Sequence, residues 1–122
     1  MTFKMLINLD YRVLSTIILK LLKDQDEMYG YEIVQKVKEL TQNQLQINEG
    51  ALYPALHKLE AAGMLMVEYK QYQNRVRKYY RLTEEGTKET QSQLDDLRAF
   101  MQQLQQLLNP GTGTDTTLAP LQ

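Results

Sequence analysis

The chain has no cysteine and no tryptophan, and only one histidine (His57) and three prolines in 122 residues. Without thiols there are no disulfides, thiolate metal sites or cysteine nucleophiles; the lack also fits a reducing compartment. A single imidazole leaves carboxylates alone to complete a metal site, so neither catalytic zinc nor any other cofactor is expected. Long apolar runs are missing as well. The most apolar stretch, Val13 to Leu22, is interrupted by Ser15, Thr16 and Lys20, and is far shorter than the ~20 apolar residues that span a bilayer. Met1 to Leu9 carries one charge, Lys4, and no small-residue cleavage pattern follows it, unlike an export signal. These absences predict a soluble, cytoplasmic protein with no membrane partner. Strong charge of either sign is also absent: 14 Lys and Arg against 15 Asp and Glu leave −1. At first sight that speaks against nucleic acid, because binding domains are often strongly basic.

Enzymatic signatures are missing too. There is no P-loop, no G-x-G-x-x-G after a strand, no H-E-x-x-H, and no second His to complete a Ser/His/acid set. GTGT at Gly111 to Thr114 has no strand before it and is not a phosphate loop. No catalytic residue is expected.

The hydrophobic periodicity is that of helices for most of the chain. Between Asp10 and Lys23, Val13, Leu14, Ile17, Ile18, Leu19, Leu21 and Leu22 make an unusually wide apolar face. Either that face sits in the middle of the core or part of it meets another chain. Asp24 to Met28 reads as a polar connection. A second helix is predicted over about Tyr29 to Leu40, with Ile33, Val34, Val37 and Leu40 buried. Its Glu32 precedes Lys36 by four residues, a supporting ion-pair spacing, and its Gly30 lets a neighbouring backbone approach. TQNQLQ (Thr41 to Gln46) reads as a turn. A third helix is predicted over Asn48 to Ala62, with Asn48 as N-cap and Gly63 just past its end. Leu52, Leu56 and Leu59 share one face; Gly50, Pro54, His57, Lys58 and Ala61 share the other. Pro54 cannot donate to the Gly50 carbonyl, which predicts a kink or a loosened first turn.

The period then changes to two. Leu65, Val67 and Tyr69 alternate with Met66, Glu68 and Lys70, and a Tyr-rich strand follows over about Arg77 to Leu82, with a polar loop at Gln71 to Val76. Asn74 is the expected turn residue. Tyr79 and Tyr80 point to opposite faces, and Tyr80, which shares Leu82's face, is expected in the core. A hairpin alone is marginal and must lean on the helices. Thr83 can cap a last helix to Leu108, in which Leu94, Leu97, Met101, Leu104 and Leu108 recur at heptad spacing, widened by Phe100 and Leu107. Two heptads are too few for a free coiled coil, so the seam must pack on the domain or on a second copy.

The expected fold is therefore mainly α with a β-hairpin (α+β): a winged helix-turn-helix at residues 10–82, after an N-terminal extension at 1–9. A long C-terminal helix at 83–108 and a disordered tail at 109–122 follow. The charge objection then dissolves locally. Lys70, Arg75, Arg77, Lys78 and Arg81 make residues 70–81 +5, whereas residues 82–96 are −4. A basic hairpin beside a helix pair is an electrostatic footprint for phosphate; the competing reading is a solvated edge that discourages sheet aggregation.

YGYEI (Tyr29 to Ile33), GALYPALHKLEAAGML (Gly50 to Leu65) and RKYYRLTEEG (Arg77 to Gly86) together resemble the PadR family of bacterial transcriptional regulators, in the form with a single C-terminal helix. The resemblance implies a homodimeric repressor that binds double-stranded DNA at a roughly palindromic operator and dimerises through its first and last helices. The N-terminal part of a recognition helix enters the major groove, which places Asn48, Gly50, Ala51, Tyr53, Pro54, His57 and Lys58 on DNA, with Arg75, Arg77 and Lys78 of the wing. Family usage adds Tyr53 as a DNA contact; a half-buried core position is the alternative. Val13, Ile17, Leu21, Leu94, Leu97, Phe100, Met101, Leu104 and Leu108 are the expected dimerisation residues. Phe100, Met101 and Met5 could also line a site for a small apolar effector, although plain dimer core is favoured, and the lack of Trp weakens a drug pocket of the kind some members have. Two features depart from the family: Glu49 places a negative charge at the recognition helix, and the wing loop lacks glycine. The alternative function is a winged-helix protein-interaction module without specific DNA binding.

Overall fold

The computed structural model describes residues 5–6 and 10–110. Among the described residues the elements run β1 (Met5–Leu6), α1 (Tyr11–Asp24), β2 (Met28–Tyr29), α2 (Gly30–Leu40), β3 (Leu45–Gln46), α3 (Glu49–Ala61), β4 (Leu65–Tyr72), β5 (Arg75–Leu82) and α4 (Glu84–Leu108). The fold is α+β as expected. The helix starts are set by local capping. Asp10, Asn48 and Thr83 accept from the backbone amides of Arg12, Gly50 and Gly86, respectively. Gly63 ends α3 with φ +83°, a conformation that favours glycine.

One core forms where α1, α2 and α3 meet the inner face of the sheet. Leu14, Ile18, Leu19 and Leu22 of α1 pack with Ile33, Val34 and Val37 of α2 and with Leu52, Leu56 and Leu59 of α3. Tyr80 closes it at 2% exposure, while Leu65 joins from β4. Leu40 departs from expectation: it is 61% exposed at the end of α2, past the last turn that the core covers. Glu32 also departs. Its carboxylate accepts from the Tyr29 backbone amide at 3.0 Å, which stabilises the start of α2, and Lys36 pairs with Glu39 at 3.4 Å instead. α3 runs unbroken through Pro54. The Asn48 carbonyl accepts from both Ala51 and Leu52 at 3.0 Å, so the first turn is anchored ahead of the proline.

The sheets hold more than a hairpin. β2, within the stretch expected to be a plain connection, pairs antiparallel with Tyr79–Tyr80 of β5, giving the order β2-β5-β4. β3, in the expected turn, pairs in parallel with β1. The wing strands are longer than predicted, from Leu65↔Leu82 out to Tyr72↔Arg75. They are joined by Gln73 and Asn74 at φ 49° and 63°, a two-residue turn whose left-handed pair matches the twist of the strands. Asn74 therefore does take the turn, together with a glutamine that carries no glycine-like signal.

α4 leans on α1 through a polar clasp. Ser15 Oγ and Thr16 Oγ1 both donate to Gln93 Oε1, at 3.2 and 2.9 Å, and the Thr16 hydroxyl is shared with the Arg12 carbonyl at 2.9 Å; Ser15 and Thr16 are buried, so for Ser15 above all the acceptor satisfies a hydroxyl that would otherwise be costly. Leu94 lies beside this clasp at 8% exposure. From Arg98 to Pro110 every residue is exposed. The expected tail at 109–122 falls almost wholly outside the described residues, as does the side chain of Met5.

Candidate nucleic-acid interface

β2 ends after pairing with Tyr79, because the chain turns into α2 at Gly30. Beyond that point the edge of β5 from Arg75 to Lys78 carries no strand among the described residues. Instead it forms one wall of a groove of about 680 Å³. The other walls are the start of α2 (Gly30, Tyr31) and the exposed side of α3 (Tyr53, His57).

Five of the expected contact residues meet here: Tyr53, His57, Arg75, Arg77 and Lys78. Tyr53 is 42% exposed, the phenol end of its ring close against Gly30. A β-carbon at Gly30 would come within 2.5 Å of the Tyr53 hydroxyl, so the close neighbour is a side chain and not the backbone anticipated from sequence. Asn48, Gly50, Pro54 and Lys58 are exposed on α3 outside the groove lining. Ala51 is partly buried against the core, and the Lys58 ammonium sits 4.7 Å above the Tyr11 ring. Asn48 has its side-chain oxygen committed to the Gly50 amide at 2.7 Å.

The five wing cations are not equivalent. Lys70 pairs with Glu27, Arg81 with Asp26 at 2.9 Å and Lys78 with Glu60 at 3.9 Å. The hydrogen bond to Glu27 raises the Lys70 ammonium above its ordinary value, overcoming a lowering from burial. Among the described residues, Arg75 and Arg77 make no carboxylate pair. The wing thus offers two uncompensated cations, not five. Arg77 is stacked between aromatic rings, 4.4 Å from the centroid of Tyr29 and 4.4 Å from that of Tyr72. A side-chain hydrogen bond to Tyr79 raises its already high pKa. Tyr29 in turn meets Tyr79 edge-on at 5.4 Å.

Sequence reading gave no role to Tyr29, Tyr31, Tyr72 or the three carboxylates. Tyr29 and Tyr31 stood in a recognised motif, so a signal existed. Tyr72 falls within the stretch whose polarity reads as loop, and the carboxylate partners lie 43 and 55 residues from Lys70 and Arg81, beyond any local pattern.

Of the expected dimerisation residues, Leu21 (6% exposed) and Leu94 lie in the chain's own core, and Val13, Ile17 and Leu97 are half-buried. Phe100 (57%), Met101 (54%), Leu104 (40%) and Leu108 (68%) are exposed. Among the described residues no cluster of three or more His, Asp or Glu could hold a metal ion, and no helix is long and apolar enough to cross a membrane.

Three helices followed by an antiparallel wing, with the exposed side of the third helix and the wing sharing a groove, define a winged helix-turn-helix protein. The profile of the transcriptional regulator PadR-like family matches residues 18–92, and the chain belongs to that family. Its class is regulatory and not enzymatic. The chain is 38% identical over 61 residues to the transcriptional regulator Rv3488 of Mycobacterium tuberculosis, which covers 50% of this chain and 54% of that one. Among solved structures, smu.1704 from Streptococcus mutans UA159 superposes with a TM-score of 0.73 at 28% identity, covering 89% of this chain and 98% of that one. A PadR family transcription regulator from Clostridium difficile R20291 gives 0.66 at 29% identity, covering 78% and 97%.

Proposed function

We propose that this regulator binds double-stranded DNA as a homodimer and represses transcription from a palindromic operator. The observation that carries the reading is the convergence of Tyr53 and His57 of α3 with the two unpaired wing arginines, Arg75 and Arg77, on one open groove. In this reading Gly50, Ala51 and Pro54, small or apolar and near the start of α3, approach base edges in the major groove, and the groove takes the phosphate backbone. Glu49, also at that start, repels phosphate unless it accepts from a cytosine amine.

The dimer is supported by the uncovered stripe Phe100, Met101, Leu104, Leu107 and Leu108. An apolar patch of this kind marks an interaction site, and it continues the seam that starts at Leu94 and Leu97. A twofold dimer places two α3 helices on two half-sites, which is why the operator is read as palindromic.

The test is binding of purified protein to DNA upstream of its own or an adjacent operon, measured by fluorescence anisotropy against mixed-sequence DNA. Tighter binding to the upstream fragment, at a stoichiometry of two chains per site, is expected. Equal affinity for both DNAs removes specific regulation. No affinity for either favours a protein-interaction module.

A further inference from the structure

Arg77 is held on the wing by aromatic rings and not by a carboxylate. Its guanidinium lies between two rings from different elements: Tyr29, where β2 passes into α2, and Tyr72, at the distal end of β4. Tyr29 is itself fixed by its edge-on contact with Tyr79 and by the Glu32 carboxylate on its backbone amide. A guanidinium donates only in its own plane, so rings packed against it leave those N–H groups able to donate. They share the groove with His57, Arg75 and the Tyr53 ring, a setting built for an anion.

We propose that Tyr29 and Tyr72 are positioning residues, which present the edge of Arg77 to a DNA phosphate lying in the groove. The inference rests on the DNA-binding reading above and gives it a specific device. A free arginine loses rotamer freedom on capturing a phosphate. Stacking moves that cost into folding. It also joins wing and helix pair, since one ring belongs to the wing and the other to the start of α2, so the spacing between the groove walls is set before DNA arrives. Each stacked ring contributes on the order of a few-fold in affinity at an exposed site. The contact is to phosphate, so its loss weakens all sequences alike.

The experiment uses the full chain and a fluorescein-labelled mixed-sequence duplex across a salt titration, for Tyr72→Leu, Tyr72→Phe, Arg77→Lys and Arg77→Ala. Tyr72→Leu is expected to weaken binding about three- to fivefold with the salt slope kept, because no charge is removed. Tyr72→Phe, which keeps the ring face, restores wild-type affinity. Arg77→Lys keeps the slope but loses affinity, and Arg77→Ala loses both. A readout free of DNA accompanies these: the Arg77 side-chain N–H resonance is shifted by ring currents in the wild type, and Tyr72→Leu relaxes that shift without changing the unfolding midpoint. Wild-type affinity in Tyr72→Leu or in Arg77→Ala overturns the positioning role while leaving DNA binding standing. A wild-type protein that does not bind the duplex at any salt overturns the DNA reading, and the proposal with it.

Discussion

The Tyr53 ring lies close against Gly30, with the hydroxyl only 2.5 Å from where a β-carbon at residue 30 would be. The contact joins the first residue of α2 to the exposed side of α3, so the absence of a side chain at Gly30 sets where a groove tyrosine points.

Gly30→Ala is expected to move the tyrosine and leave the fold in place. The obstructing atoms are the far end of a ring that is 42% exposed and can swing outward. Alanine also favours a helical position by up to about 1 kcal/mol over glycine. The variant should unfold within about 1 kcal/mol of the wild type yet bind DNA more weakly. Combined with Tyr53→Ala it should weaken binding no further than Tyr53→Ala alone, a non-additivity that anisotropy titrations of the two single variants and the double variant measure directly.

Charge at the wing predicts unequal mutants. Arg77→Ala should lower the slope of log affinity against log salt by about one per protomer, since each phosphate neutralised contributes about 0.9. Lys70→Ala should lower it far less, because Glu27 already compensates that ammonium. Glu27→Gln should raise the slope instead. Salt titrations with mixed-sequence duplex distinguish these, and equal slopes for Arg77→Ala and Lys70→Ala would contradict the pairing.

The two halves of α4 should respond differently. Leu94 is buried against α1, so Leu94→Ala is expected to cost about 2–5 kcal/mol in denaturant unfolding, the range for large core truncations. Leu104→Glu and Leu108→Glu lie beyond the chain's own core and should instead yield a folded monomer. Sedimentation equilibrium with circular dichroism checks both, and a Leu104→Glu variant that sediments as the wild type does would remove this helix end from the dimer interface.

Alkali should destabilise the protein through Tyr80. Burial pushes its phenol above the ordinary value, against a lowering from the nearby Lys78. A raised folded-state pKa means that the stabilising contribution is fully present below the unfolded value of about 10 and is lost as pH rises through the folded one, because the unfolded chain ionises first. Stability should thus be flat with respect to this group up to about pH 10 and fall above it, and Tyr80→Phe should flatten the fall. Urea unfolding across that range is the measurement.

The sequence by itself determined the helices, their caps and the type of fold. Asp10, Asn48 and Thr83 act on amides two or three residues away, and the Leu52, Leu56, Leu59 stripe follows from helical period alone; such signals are local. It determined the family as well, through three motifs in fixed order. Tertiary structure alone decided the rest. β2 and β3 are two residues long, too short for any period to show, and exist because β5 and β1 offer free backbone groups. Leu40 lost its place in the core because that core ends one turn earlier. Five wing cations became two because Asp26, Glu27 and Glu60 come to the wing from distant parts of the chain, and the Arg77 stack formed because a turn at Gln73–Asn74 carried the strands out to Tyr72. Periodicity encodes which face of an element is buried; which polar groups then meet across elements depends on packing, which brings together residues that no local pattern relates.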